Sequence, residues 1–138
     1  MKQLVLLTLA GLTLAGASVG TAAAASPTFR MSIVHYFRGC HVWRTSKQLG
    51  PAATITVQRG TRIEIRLNCP MDFDFAQTAG PKLNLGNRRT LTGQSRVIAF
   101  AKPGLYKLTA KNVQTSDEVN LETLGPDNTL SLTVRVQP

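Results

Sequence analysis

Thiols, imidazoles and acids are scarce in this sequence: its 138 residues hold 2 Cys, 2 His and 7 Asp+Glu. Two cysteines exclude a four-cysteine zinc site and a disulfide-dense scaffold. Beyond Met71 there is no Cys, His or Met at all, which leaves few candidates for metal ligation or nucleophilic catalysis. There is no nucleophile-elbow or cysteine-protease signature and no glycine-rich phosphate loop. No segment after the N-terminal stretch keeps a 3.6-residue apolar period, and there is no internal repeat or low-complexity tract. The length allows one domain and leaves no room for an interdomain cleft. An apolar fraction of 43% is ordinary for a globular chain and argues against wholesale disorder.

Residues 1–25 read as a signal peptide. Lys2 gives a short positive start, Leu4 to Val19 is almost wholly apolar, and small residues gather from Ala22 to Ala25. Cleavage after Ala25 places Ala23 and Ala25 at the two small-residue positions of such sites. No cysteine lies near the cleavage point, and no basic stop-transfer flank follows, so no membrane span is expected after cleavage. A single domain over residues 26–138 remains, secreted or periplasmic. An oxidising compartment makes a Cys40–Cys69 disulfide the simplest reading of the two cysteines. Closing a loop of about 30 residues is worth roughly 3–4 kcal/mol in the chain-entropy model.

Period-2 alternation dominates the rest. Ile55 and Val57 alternate with Thr54, Thr56 and Gln58; past Arg59-Gly60, Ile63, Ile65 and Leu67 alternate with Arg62, Glu64 and Arg66. The pair reads as a hairpin with one wet face. Tyr106, Leu108 and Ala110 form another such run, as do Leu130, Leu132, Val134 and Val136. Phe29, Met31 and Ile33 share one parity. Arg96 to Ala101 reads as a more fully buried strand, and Val119 with Leu121 suggests one more short strand. Turn signals such as Gly50-Pro51, Gly80-Pro81 and Pro103-Gly104 divide these runs. The expected fold is an all-β antiparallel Greek-key sandwich.

Three stretches carry a family likeness. Ile55 to Asn68 is an alternating strand, a Gly turn, a second alternating strand and a closing Asn. Lys102-Pro-Gly-Leu-Tyr106-Lys-Leu is a proline-glycine-x-tyrosine approach to a strand, and Leu130 to Val136 is a last strand. Together they resemble cupredoxin-like domains over most of the chain. Immunoglobulin-like sandwiches share the Gly-x-Tyr corner, with the tyrosine tying its loop to the backbone. The likeness implies a copper-binding His after Asn68, and a Cys, a second His and an axial ligand after the Gly-x-Tyr strand. Here Cys69-Pro-Met-Asp-Phe-Asp-Phe75 holds no histidine, and the implied cysteine position is about Ala110. A type 1 copper centre, with thiolate and two imidazoles, is therefore not expected.

The chemistry-bearing residues cluster at His35-Tyr-Phe-Arg-Gly-Cys40-His41-Val-Trp43 and at Cys69-Pro-Met71. No cofactor is expected. The alternative is a Cu(I) clasp of His35, Cys40, His41, Cys69 and Met71 in a copper-handling protein, which requires free thiols. Trp43 is expected in the core; exposed beside Tyr36 and Arg44 it would be a ligand platform. Asp72 and Asp74 alternate with Phe73 and Phe75 and read as polar residues opposite core side chains, the hydrolytic carboxylate pair being the lesser reading. Loop function would fall on Lys82, Arg88 and Arg89 with Trp43 and Arg44 as a possible binding surface. The net charge of +9, reduced to +8 by loss of Lys2, favours anionic envelope components or another exported protein as partner. Export and dispersed basic residues argue against nucleic acid. If the faces of Arg62 and Arg66 and of Lys107 and Lys111 adjoin, they form one basic patch. The expected protein is a non-enzymatic binding or structural module of the cell envelope.

Overall fold

The computed structural model describes residues 25–36, 41–113 and 129–138. The signal-peptide reading (apart from Ala25), Cys40, and the strand expected around Val119 and Leu121 lie outside these residues.

Alternating apolar residues fold as ten strands among the described residues: β1 (Thr28–His35), β2 (His41–Arg44), β3 (Gln48–Gly50), β4 (Ala52–Gln58), β5 (Arg62–Asn68), β6 (Asp72–Ala79), β7 (Arg89–Thr90), β8 (Ser95–Ala99), β9 (Gly104–Val113) and β10 (Thr129–Gln137). They form two five-stranded sheets, in the orders β3-β2-β1-β5-β8 and β4-β10-β9-β6-β7. The expected all-β sandwich is present. Its sheets are mixed rather than wholly antiparallel, because β1 runs parallel to β5 and β10 parallel to β4. That pairing departs from the purely antiparallel sheets of immunoglobulin domains.

The two parallel pairs have one origin, which also corrects the expected hairpin. β4 belongs to the second sheet and β5 to the first, so the turn at Arg59-Gly60 is an arch between sheets. It is held by Thr61 N–H to Gln58 O at 3.1 Å, Gly60 N–H to Phe100 O at 2.8 Å and Arg59 N–H to Gln137 O at 2.8 Å. In a hairpin both apolar faces look the same way; in this arch Ile55 and Val57 look across the core toward the Ile63, Ile65, Leu67 face. Alternation is identical in the two cases, so the pattern alone does not separate them.

Both inner faces close on Ile33, Trp43, Ile63, Ile65, Phe73, Phe75, Phe100, Tyr106 and Leu130, all at most 1% exposed. Each such side chain contributes about 1.5–3 kcal/mol on burial. Trp43 is in this core, and its indole N–H donates to Ser131 O of β10 at 2.9 Å. Phe100 and Tyr106 meet edge to face, 5.0 Å between centroids. The Tyr106 hydroxyl donates to Lys102 O at 2.7 Å, so the tyrosine ties its own loop to the backbone as expected.

The strand at Arg96 to Ala101 is not fully buried. β8 lies at the edge of the first sheet and alternates, with Val97 46% exposed and Arg96, Ile98 and Phe100 buried. A charged residue thus occupies core parity. An inward-pointing charge also blunts an edge against pairing with another chain.

Candidate functional site

The residues singled out by chemistry converge on one end of the sandwich. β1 ends at His35 and β2 begins at His41, and these two are register partners. Their rings lie 5.5 Å apart between centroids, His35 exposed and His41 fully buried. His41 packs edge-on against Phe73 at 5.2 Å. Phe73 in turn pairs with Asn112 of β9. The link from β5 to β6 brings Cys69 and Met71 to the same end, both buried, with Cys69 Sγ 3.7 Å from Met71 O. Met71 Sδ accepts a hydrogen bond from Asn112 Nδ2 at 2.9 Å.

Asn112 is a participant that sequence reading missed. Its Oδ1 is buried and has no hydrogen-bond partner among the described residues. The available signal was an amide in the last turn of the β9 alternation, after Ala110, where a half-buried side chain needs a polar partner.

The donors do not fit a type 1 copper centre. Ala110, at the position the cupredoxin resemblance gives to the thiolate, is fully buried between its register partners Phe75 and Leu130 and offers no donor atom. Among the described residues no three His, Cys, Asp or Glu side chains are grouped to hold a metal ion. The alternative clasp is brought partly together: His35, His41, Cys69 and Met71 share this end, while Cys40 lies outside the described residues.

Asp72 and Asp74 occupy separate structural positions. Asp72 is buried, and its Oδ1 accepts from Thr92 N–H at 2.8 Å. Asp74 forms a two-point pair with Arg89, at 2.9 Å to Nε and 3.2 Å to the terminal nitrogen. The Arg89 hydrogen bond holds the Asp74 carboxyl below its ordinary range, against the opposing effect of burial, and the same bond raises Arg89. A carboxylate pair engaged in this way lacks the free, facing geometry that glycoside hydrolysis uses.

The five residues of the possible binding surface do not form one surface. Trp43 is 1% exposed and its indole N–H is spent on Ser131, so it is no ligand platform; filling the centre of a small sandwich prevailed. Arg44 is exposed on the outer face of the first sheet. Lys82, Arg88 and Arg89 belong to the connection from β6 through β7 in the second sheet. Likewise Arg62 and Arg66 lie on β5 of the first sheet and Lys107 and Lys111 on β9 of the second. Their exposed faces point in opposite directions, and no joint patch forms.

That long connection is organised by two side chains that sequence reading passed over. The Gln77 amide donates to Ala79 O, Gly80 O and Pro81 O at 3.1, 3.2 and 2.8 Å, while its Oε1 accepts from Leu83 N–H at 2.9 Å. The Arg96 guanidinium donates to Leu85 O at 2.5 Å, Arg89 O at 3.3 Å, Thr90 Oγ1 at 2.8 Å and also to Asn87 O. It stands 4.9 Å over the Phe75 ring, and burial lowers its affinity for its proton. Arg96 shares parity with Ile98 and Phe100, and a charge on core parity was the signal.

No protein-family model matches the chain, and no curated protein does. Solved structures are similar to it. One is a multicopper oxidase, 17% identical over 80% of this chain and 42% of that one, with a TM-score of 0.47. Another is the multicopper oxidase of Pseudomonas thermotolerans, 12% identical over 83% of this chain and 30% of that one, at 0.48. Amicyanin of Paracoccus versutus is 15% identical, with 84% of this chain and 85% of that chain covered, at 0.43. The chain thus spans less than half the length of either oxidase.

Proposed function

We propose that the chain is an exported, non-enzymatic cupredoxin-like sandwich without a type 1 copper centre, acting as a binding or structural module of the cell envelope. The observation that carries this reading is Ala110, buried between Phe75 and Leu130 where the resemblance requires a thiolate. The engagement of Asp72 and Asp74 with Thr92 and Arg89 speaks against the hydrolytic carboxylate pair. The apolar stretch from Leu4 to Val19 followed by small residues supports export. Anionic envelope components or another exported protein are the partners that the net charge, +9 for the whole chain and +8 once Lys2 is removed, favours. In this reading Cys40 and Cys69 form a disulfide.

A second reading is copper handling by His35, Cys40, His41, Cys69 and Met71. The two histidine rings 5.5 Å apart, at the end that also holds Cys69 and Met71, favour it over any other chemistry. It needs reduced cysteines, since a bonded pair offers no thiolate.

Intact mass under non-reducing conditions, with and without thiol alkylation, on protein recovered from an oxidising compartment separates the two. A chain beginning at Ser26, two hydrogens light and resistant to alkylation, is the expected result. An unprocessed N-terminus overturns export. Two alkylated cysteines with tight Cu(I) binding overturn the metal-free module in favour of the second reading.

A further inference from the structure

The outer face of the first sheet carries a groove that the histidine cluster does not line. It lies over β2, β1 and β5 with a volume of about 430 Å³, and its polar lining includes Arg30, Ser32, Arg44, Glu64, Arg66 and Asn68. Register places Ser32 directly between Arg44 on β2 and Arg66 on β5. With neighbouring strands about 4.8 Å apart, the two arginine Cα atoms stand roughly 10 Å from each other. The short serine leaves the floor between them open and presents a hydroxyl there.

The arginines are in different states. Arg66 Nε donates to Asn68 Oδ1 at 3.1 Å, which sets the plane of its guanidinium. Arg30 Nε is paired with Glu64 Oε2 at 3.1 Å. The Arg44 guanidinium has no hydrogen-bond or ion-pair partner among the described residues. Three arginines against one glutamate leave the groove with a surplus of positive charge that its own side chains do not neutralise.

This geometry discriminates between anions. A carboxylate has two oxygens and is satisfied by a single guanidinium fork. A phosphoryl dianion has three, hence three two-oxygen edges, so that two forks can share one oxygen with the serine hydroxyl below, and arginine is the side chain suited to such planar two-point recognition. We propose that the groove over Ser32 binds a phosphomonoester group, held between Arg44 and Arg66 with Arg30 at its margin. The proposal rests on the reading of the chain as a binding module and names its ligand chemistry. It depends on neither the thiol state nor the processing that test that reading, so either can fail alone.

The test is calorimetric titration of the purified chain at low salt with three probes: inorganic phosphate, glycerol 3-phosphate, and phosphatidylcholine vesicles containing phosphatidic acid. Acetate is the comparator. Saturable binding of glycerol 3-phosphate is expected, weakened at least about tenfold in R44Q and in R66Q and weakened further by added salt. Both side chains are exposed, and an unchanged melting temperature confirms that the variants fold. Lys107→Gln removes the same charge from the opposite sheet and leaves affinity unchanged. E64Q tightens it. Vesicle binding lost in R44Q and exceeding that of the soluble ester assigns the group to a lipid, and the reverse order to a soluble ligand. The proposal is overturned by no saturable binding to any phosphate probe, by acetate binding as tightly, or by K107Q weakening binding as much as R44Q.

Discussion

Trp43 in the first sheet donates its indole N–H to the carbonyl of Ser131 in the second, 2.9 Å away. One side chain therefore both fills the centre and supplies a polar tie between the layers, as Arg96 does from β8 to β7 at the opposite edge. Trp43→Phe keeps most of the volume and leaves that carbonyl without its donor. The expected loss is about 1–3 kcal/mol in urea unfolding. A red-shifted, readily quenched fluorescence from Trp43 in the native protein would contradict its burial.

Gly80 adopts φ +101°, and a Cβ there would stand 2.4 Å from Leu105 O and 2.9 Å from Tyr106 Cα. Both obstacles are backbone, which does not give way as a side-chain tip does. Gly80→Ala should cost roughly 3 kcal/mol or more, combining strain with overpacking. Gly86→Ala, with φ +58° and open space around it, is the control and should cost about 1 kcal/mol. Thermal melts of the two variants make the comparison, and equal losses would refute the close approach.

Arg96→Met preserves an apolar stem over Phe75 but withdraws the donors that reach Leu85, Asn87 and Arg89. A loss of about 3 kcal/mol is expected. Amide exchange should accelerate most between residues 83 and 92, because the carbonyls of Leu85, Asn87 and Arg89 lose the donor that fixes them. Arg96→Lys should recover little, since an ammonium lacks the planar fork. Full recovery by lysine would show that charge alone is what matters.

The Asp74 carboxyl is held below its ordinary range chiefly by the Arg89 hydrogen bond. The folded state thus takes up that proton less readily than the unfolded chain. Its contribution is present above the unfolded carboxylate value and disappears as pH falls through the lower folded one. The pair is partly exposed, so solvent screening keeps the contribution small. Asp74→Asn should lower stability slightly at neutral pH and flatten the acid limb below about pH 4. Stability curves measured against pH for both proteins decide it.

The strands and their buried faces were legible because alternation is a local property: β1, β4, β5, β9 and β10 fall where the apolar parity places them. Partnership between strands is not local, and the turn at Arg59-Gly60 shows the limit. The same residues that spell a hairpin spell an arch, and the difference is settled by β10 and β1, which compete for the edges of β4 and β5. Arg96 was read as part of an apolar run because its neighbours are Val97, Ile98 and Ala99. What makes it a core residue is the Thr90 hydroxyl and a set of carbonyls seven to eleven positions upstream. The histidine end was visible as a cluster of residue types. Asn112 and the floor of the Ser32 groove were not, since each is defined by strands that meet only in the folded sheet.

β10 lies between β4 and β9, so the second sheet has no continuous ladder until residues 129–137 exist. β4 ends at Gln58 and β10 begins at Thr129, leaving some seventy residues to be synthesised between the two partners. At about 5–20 residues per second this is roughly 4–14 s of translation. Throughout that interval Ile55 and Val57 have no neighbour in their own layer, and Trp43 has no carbonyl to meet. Only when β10 is present does β4 acquire a partner in its own sheet, and the same strand then joins it to β9.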